Sequence, residues 1–163
     1  TAQLGLDLPL AIRYPRGRGI TVNWKQAFSK IEIGKGVQLK KGESLAILSI
    51  GSIAKNVSEA ILNLDVSHYD MRFVKPLDDK LLHTILKEYN TIITIEDNAI
   101  KGGFGSAVLE FASANNYKND MTLLGIPDSF IEHGTVDELQ YALKLDPGSL
   151  KNYITGLIKK RGS

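Results

Sequence analysis

Two hydrophobic patterns take turns along most of this chain. Residues 44–50 (SLAILSI) form a continuous apolar run closed by Gly51. A run of that length between turn residues suits a strand covered on both faces. Residues 53–64 then place Val57, Ala60, Ile61 and Leu64 at helical spacing. Residues 66–73 read as a second strand with a more polar centre, with His68 facing outward. Pro76, in or beside a first helical turn where its missing N–H matters little, opens a helix with Leu81, Leu82, Ile85 and Leu86 on its apolar side. Residues 91–95 (TIITI) make a third buried strand, and a glycine-rich loop leads to a helix over 106–114. Residues 121–126 (MTLLGI) make a fourth strand, stopped by Pro127. Thr135 and Glu138 have the spacing of a capping box. A last helix over 147–160 repeats apolar residues at Leu150, Tyr153, Ile154, Leu157 and Ile158, and Gly156 weakens it. Strands alternating with helices at these lengths predict an α/β fold, a mostly parallel sheet of about five strands with helices on both faces. The strand ending at Gly51 is expected to be central, and parallel to the strand over 91–95.

The first third of the chain is less regular. Residues 10–12 read as a short apolar strand broken by Pro15 and the glycines after it. Residues 17–30 show no period and read as a linker. Residues 31–39 alternate and turn at 40–43, which predicts a β-ribbon. The chain opens at Thr1, without Met and inside a pattern that reads as folded, as expected of a piece of a longer protein.

Composition narrows the classes. The 163 residues carry a net charge of +2 with no basic stripe, so no nucleic-acid partner is expected. There is no cysteine, which excludes disulfides and thiolate metal sites. No apolar run nears the ~20 residues of a membrane span. The N-terminus lacks the charged start and apolar core of a signal peptide. A soluble, cytoplasmic protein is the expectation.

Three constellations carry candidate chemistry. In Arg13-Tyr14-Pro15-Arg16-Gly17, two arginines are pinned by a proline and a glycine. Their guanidinium forks suit a phosphate or carboxylate, although interdomain salt bridges or solvated charges fit the spacing too. The second constellation runs from Glu96-Asp97-Asn98 through Gly102-Gly103-Phe104-Gly105-Ser106, where a strand ends and a helix begins. Glycines beside helix N-terminal amides can hold an external anion, or simply let backbones approach closely. The pattern is neither GxGxxG nor a P-loop. The third is the set His68, His83 and His133, none at metal-ligand spacing. His83 reads as a partly buried helical residue, and His133 sits in a loop after a strand end. Ser49, Ser52 and Ser106 are not in a GxSxG elbow.

Ordered pieces of the chain resemble one family: Ile12-Arg13-Tyr14-Pro15-Arg16-Gly17, Ile33-Gly34-Lys35-Gly36, Asp70-Met71-Arg72-Phe73-Val74-Lys75-Pro76-Leu77-Asp78, Thr94-Ile95-Glu96-Asp97-Asn98 with Gly102-Gly103-Phe104-Gly105-Ser106, and Gly125-Ile126-Pro127-Asp128 with Phe130-Ile131-Glu132-His133-Gly134. From about residue 9 to about residue 146 they resemble the C-terminal region of the deoxyxylulose-5-phosphate synthases, a transketolase-like, thiamine-diphosphate-dependent family. The resemblance implies a homodimeric, three-domain enzyme that condenses pyruvate with glyceraldehyde 3-phosphate, releasing carbon dioxide, for isoprenoid, thiamine and pyridoxal synthesis. Thiamine diphosphate and magnesium would belong to the full-length enzyme. The family's Gly-Asp-Gly…Asn motif is absent here. The implied organisation is the end of a pyrimidine-binding domain plus linker over 1–30, and a transketolase C-terminal-type domain over 31–163. By that reading the chain holds no catalytic residue, cofactor or metal, and is inactive alone. Its partners are the remaining domains of the same enzyme, a second subunit and small-molecule substrates. Arg16 resembles the group that grips the phosphate of glyceraldehyde 3-phosphate, with Arg13 supporting the loop. The alternatives are the C-terminal domain of a transketolase or of a 2-oxoacid dehydrogenase β subunit, or a stand-alone anion-binding or docking module.

Overall fold

The continuous apolar runs lie where a sheet is covered on both sides. The computed structural model describes Pro9, Ile12, Ala27 and residues 29–161. Among these residues the strands are β1 (Val37–Lys40), β2 (Ala46–Ile50), β3 (Ser67–Asp70), β4 (Thr91–Ala99) and β5 (Asp120–Ile126). They form one sheet in the order β1-β3-β2-β4-β5. β2 pairs parallel with β3 and β4, β4 pairs parallel with β5, and of these strands β1 alone runs antiparallel, against β3. The helices are α1 (Ala54–Ala60), α2 (Asp79–Glu88), α3 (Phe104–Ala114), α4 (Val136–Ala142) and α5 (Pro147–Arg161). The mostly parallel α/β architecture, the central position of β2 and its parallel pairing with β4 are as the hydrophobic pattern predicts. No helix of the described residues is long and apolar enough to cross a membrane.

Strand alternation sorts the core into two layers. Leu45, Ile47, Ile93 and Ile95 pack with Val57, Ala60 and Ile61 around α1 and with Leu150 and Ile154 of α5. Ala46, Leu48 and Ile92 point the other way, onto Leu82, Ile85 and Leu86 of α2 and Phe104, Val108 and Ala112 of α3. Each fully buried aliphatic side chain stabilises the fold by about 1.5–3 kcal/mol. α1, α2, α3 and α5 thus take their places from the two sheet faces.

Several element ends differ from the sequence expectation, each for a local reason. The ribbon over 31–39 shrinks to β1, because Gly34 turns the chain with φ +71° and Lys35 N–H bonds back to the Glu32 carbonyl. The helix over 53–64 starts as a 3-10 turn at Gly51–Ile53 and ends at Ala60. The Lys40 ammonium donates to the Ile61 and Leu64 carbonyls just beyond that end. Pro76 lies outside the first turn of α2, because Asp78 caps it, accepting the Leu81 N–H at 3.1 Å. The same carboxylate also accepts the Gly36 N–H at 3.2 Å and pairs with Lys35 at 3.4 Å. The strand over 66–73 stops at Asp70, whose carboxylate takes the Arg72 N–H at 3.0 Å. Residues 10 and 11 of the strand predicted at 10–12 and most of the linker lie outside the described residues.

His68 corrects the sequence reading: it is fully buried, not outward-facing. β3 is flanked by β1 and β2, so helices cover its side chains as well. His68 shares the register of Ile47 and therefore faces the α1 layer. Its Nε2 lies 2.7 Å from the Ser49 hydroxyl, and its Nδ1 lies 3.3 Å from Ser58 on α1. Burial lowers its pKa from 6.5 to about 4. The unfolded chain therefore binds a proton here that the folded chain refuses, so this contribution to stability falls as pH drops from 6.5 to about 4. The loss should reach on the order of 3 kcal/mol. Urea unfolding of wild type and His68→Gln between about pH 8 and pH 4 should show the wild type's advantage shrinking as the solution is acidified. A pH-independent difference would mean that His68 is not held neutral.

Candidate functional site

In open α/β sheets, ligands bind outside the carboxyl ends of the strands. At that edge β4 runs four residues past Ile95, to Ala99. The loop that follows is organised by one side chain. Glu96 is 2% exposed. Its Oε2 accepts the Phe104 N–H at 2.9 Å, and its Oε1 accepts the Gly105 N–H at 2.8 Å. These are first-turn amides of α3, which have no partner inside the helix. Gly103, the N-cap residue, supplies no side-chain cap. Glu96 replaces it from the strand, so α3 begins at Phe104, two residues earlier than expected.

The glycines follow from this contact. A Cβ on Gly103 would overlap the Ala99 carbonyl and the Glu96 carboxylate. On Gly125 of β5 it would stand 3.0 Å from Glu96 Cγ and from the Glu96 and Asn98 carbonyls. Gly105 lies against Thr94 and Leu123, and Gly102 adopts φ +70°. Ser106 closes the loop, donating to the Ile100 carbonyl at 2.8 Å and accepting the Gly102 N–H at 3.1 Å. The motif is thus an anion site whose anion is internal. The Phe104 and Gly105 amides do not fit a substrate phosphate or a cofactor diphosphate, because a carboxylate of the same chain already holds them.

The other sequence candidates do not converge on this point. Arg13 and Arg16 lie outside the described residues. His83 is half-buried, with Nδ1 2.8 Å from the Tyr117 hydroxyl and its ring edge-on to Phe111. His133 is exposed in the segment after β5. Among the described residues no group of three or more His, Asp or Glu side chains could hold a metal ion. Two features of the carboxyl edge went unread in the sequence. Arg72, exposed just past β3, has a left-handed backbone with φ +58°, a conformation that costs non-glycine residues about 1–3 kcal/mol and clusters at functional sites. Burial raises the pKa of the neighbouring Asp70, and the Arg72 N–H and charge oppose that rise. Lys101 and Asp128 join the loops after β4 and β5 at 3.0 Å. A clue to Glu96 was available: an acidic residue ends an apolar strand shortly before a helix whose start is rich in glycine.

The sheet order and the antiparallel edge strand define a mostly parallel α/β domain, and its family match and a solved neighbour are both of the transketolase type. Residues 34–150 match the family described as the transketolase C-terminal domain, and the chain belongs to that family. It is 46% identical over 161 residues to the 1-deoxy-D-xylulose-5-phosphate synthase of Bacteroides fragilis, covering 95% of this chain and 25% of that protein. It is 47% identical over 163 residues to the synthase of the same name from Cytophaga hutchinsonii, covering 96% and 26%. With the Vibrio parahaemolyticus synthase it shares 42% identity over 152 residues, 93% of this chain and 24% of that protein. The chain therefore spans about a quarter of the length of these curated relatives. A solved split-gene transketolase, described as an inactive β4 tetramer, superposes with a TM-score of 0.70 at 26% identity, over 82% of this chain and 45% of that one.

Removing the internal anion should weaken the fold. Glu96→Gln turns one accepting oxygen into a donor facing an N–H, and should lower unfolding free energy by about 2–3 kcal/mol. Gly103→Ala should lose at least as much through overlap. Chemical denaturation measures both, and an unchanged midpoint for the Gln variant would show that the carboxylate does not hold α3.

Proposed function

We propose that this chain is the C-terminal domain of a 1-deoxy-D-xylulose-5-phosphate synthase, an enzyme that condenses pyruvate with glyceraldehyde 3-phosphate and releases carbon dioxide. The observation that carries the reading is the 46–47% identity, across nearly the whole chain, to synthases of that name. The whole enzyme would be a cytoplasmic homodimer serving isoprenoid, thiamine and pyridoxal synthesis. Residues 1–30 would be the end of its pyrimidine-binding domain with a linker, and 31–163 the C-terminal domain. Thiamine diphosphate with magnesium supplies the carbanion chemistry when bound to the rest of the enzyme.

Within that enzyme the domain acts as a support. Its sheet and the Glu96 clasp give the carboxyl edge a fixed shape, which suits buttressing the dimer and positioning a substrate-binding loop. Arg16 would grip the phosphate of glyceraldehyde 3-phosphate, with Arg13 supporting the loop. A guanidinium fork matches phosphate oxygens in pairs, and such charge-assisted contacts contribute roughly 1.5–3 kcal/mol.

Because the phosphate is remote from the reacting carbonyl, much of that energy should appear as binding. In the full-length enzyme Arg16→Ala should raise KM for glyceraldehyde 3-phosphate about 10- to 150-fold. KM for pyruvate, which carries no phosphate, should move little. Arg16→Lys should recover only part, since an ammonium lacks the fork. Steady-state kinetics with each substrate varied decides the matter. An unchanged KM for the aldehyde, or an equal loss for both substrates, removes Arg16 from the phosphate site.

A further inference from the structure

The segment after β5 carries apolar side chains that the domain itself leaves uncovered. No residue from 127 to 142 is buried. Phe130 is fully exposed, and Ile131, Val136 and Tyr141 are exposed with it. One such residue on a surface needs no explanation, but several on one short segment mark a contact face.

The segment is nevertheless held in a set shape. α4 has seven residues and no buried one, and a helix that short is not stable on its own propensity. A complete capping box fixes its start: Thr135 Oγ1 accepts the Glu138 N–H at 3.3 Å, and the Glu138 carboxylate accepts the Thr135 N–H at 2.9 Å. Asn56 of α1 ties it to the body, donating to the Gln140 side-chain oxygen at 2.7 Å and to the Leu145 carbonyl at 3.0 Å. Exposed aromatic side chains on a preset backbone lose little conformational entropy when a partner covers them.

Length and charge indicate the occupant. The relatives are far longer than this chain, which covers 25% and 26% of two of them. Most of such a polypeptide therefore lies outside this structure. The segment leaves the carboxyl end of β5, on the edge shared by the Glu96 loop and Arg72. Its rim is mostly acidic, with Glu132, Asp137 and Glu138 all exposed, and the ammonium of Lys144 lies 4.8 Å from the Tyr141 ring. A second copy meeting it across a two-fold axis would bring those like charges together. We infer that residues 127–142 are the docking face for the remainder of the longer polypeptide, which presents an apolar surface with a basic rim to Phe130 and Tyr141. This inference rests on the reading that the chain is one domain of a synthase.

Hydrogen–deuterium exchange on the 163-residue chain and on its full-length parent tests it. Amides of 129–142 should exchange about tenfold or more slowly in the parent, while those of β2 are protected in both. Phe130→Asp with Tyr141→Asp should leave the unfolding midpoint of the chain alone unchanged, and should abolish the added protection in the parent. Equal exchange of the segment in wild-type chain and parent would overturn the docking face. So would protection already present in the chain alone together with sedimentation as a dimer, which would make the occupant a second copy. Synthase assays on the wild-type parent separate the two readings. Activity without segment protection sinks only the docking face, and protection without activity sinks only the synthase.

Discussion

The Glu96 carboxylate, buried between the end of β4 and the start of α3, accepts the two amides that open the helix. Much of the carboxyl edge depends on that contact. A helix N-terminus carries positive partial charge and unpaired N–H groups, so a buried carboxylate there is stabilised as it stabilises the helix. To make room, Gly103 approaches the Glu96 carboxylate more closely than a Cβ allows, and Gly125 leaves only a tight 3.0 Å for one beside the Glu96 side chain. β4 in turn extends to Ala99, and the Ile100 N–H reaches the Ile126 carbonyl at the end of β5. The glycine-rich loop is the backbone path that a strand-borne anion requires.

The same device recurs with other side chains. Asp78 takes amides from Leu81 and Gly36, joining the start of α2 to the turn before β1. Lys40 of β1 reaches carbonyls beyond the end of α1. Asn56 of α1 reaches the α4 region. Each polar group crosses from one element to another and satisfies backbone groups that the regular ladders leave open. The two apolar layers place the helices, and these ties place the loops. The result is a domain whose carboxyl edge is shaped from within.

The elements follow from local periodicity. The runs at 44–50 and 91–95 announce strands covered on both faces, and they are β2 and β4 at the centre of the sheet. Leu82, Ile85 and Leu86 mark the inner side of α2, and Thr135 with Glu138 forms the capping box seen on α4. The resemblance carried by the ordered motifs reaches the same family as the match over 34–150. These features depend on residues a few positions apart, so the linear chain contains them.

The tertiary structure decided which groups meet. Strand spacing cannot show whether the amides at the start of α3 hold an external anion or an internal one. That depends on Glu96 of a neighbouring strand turning under the helix. The polar centre of its own strand points His68 outward, yet its burial follows from β1 and β2 flanking β3 and from Ser58 on a separate helix. Phe130 and Tyr141 carry the same apolar signal as core residues, but the sheet ends before it can cover them. Periodicity is a property of the local chain, whereas burial and charge partnership arise only when distant segments are packed together.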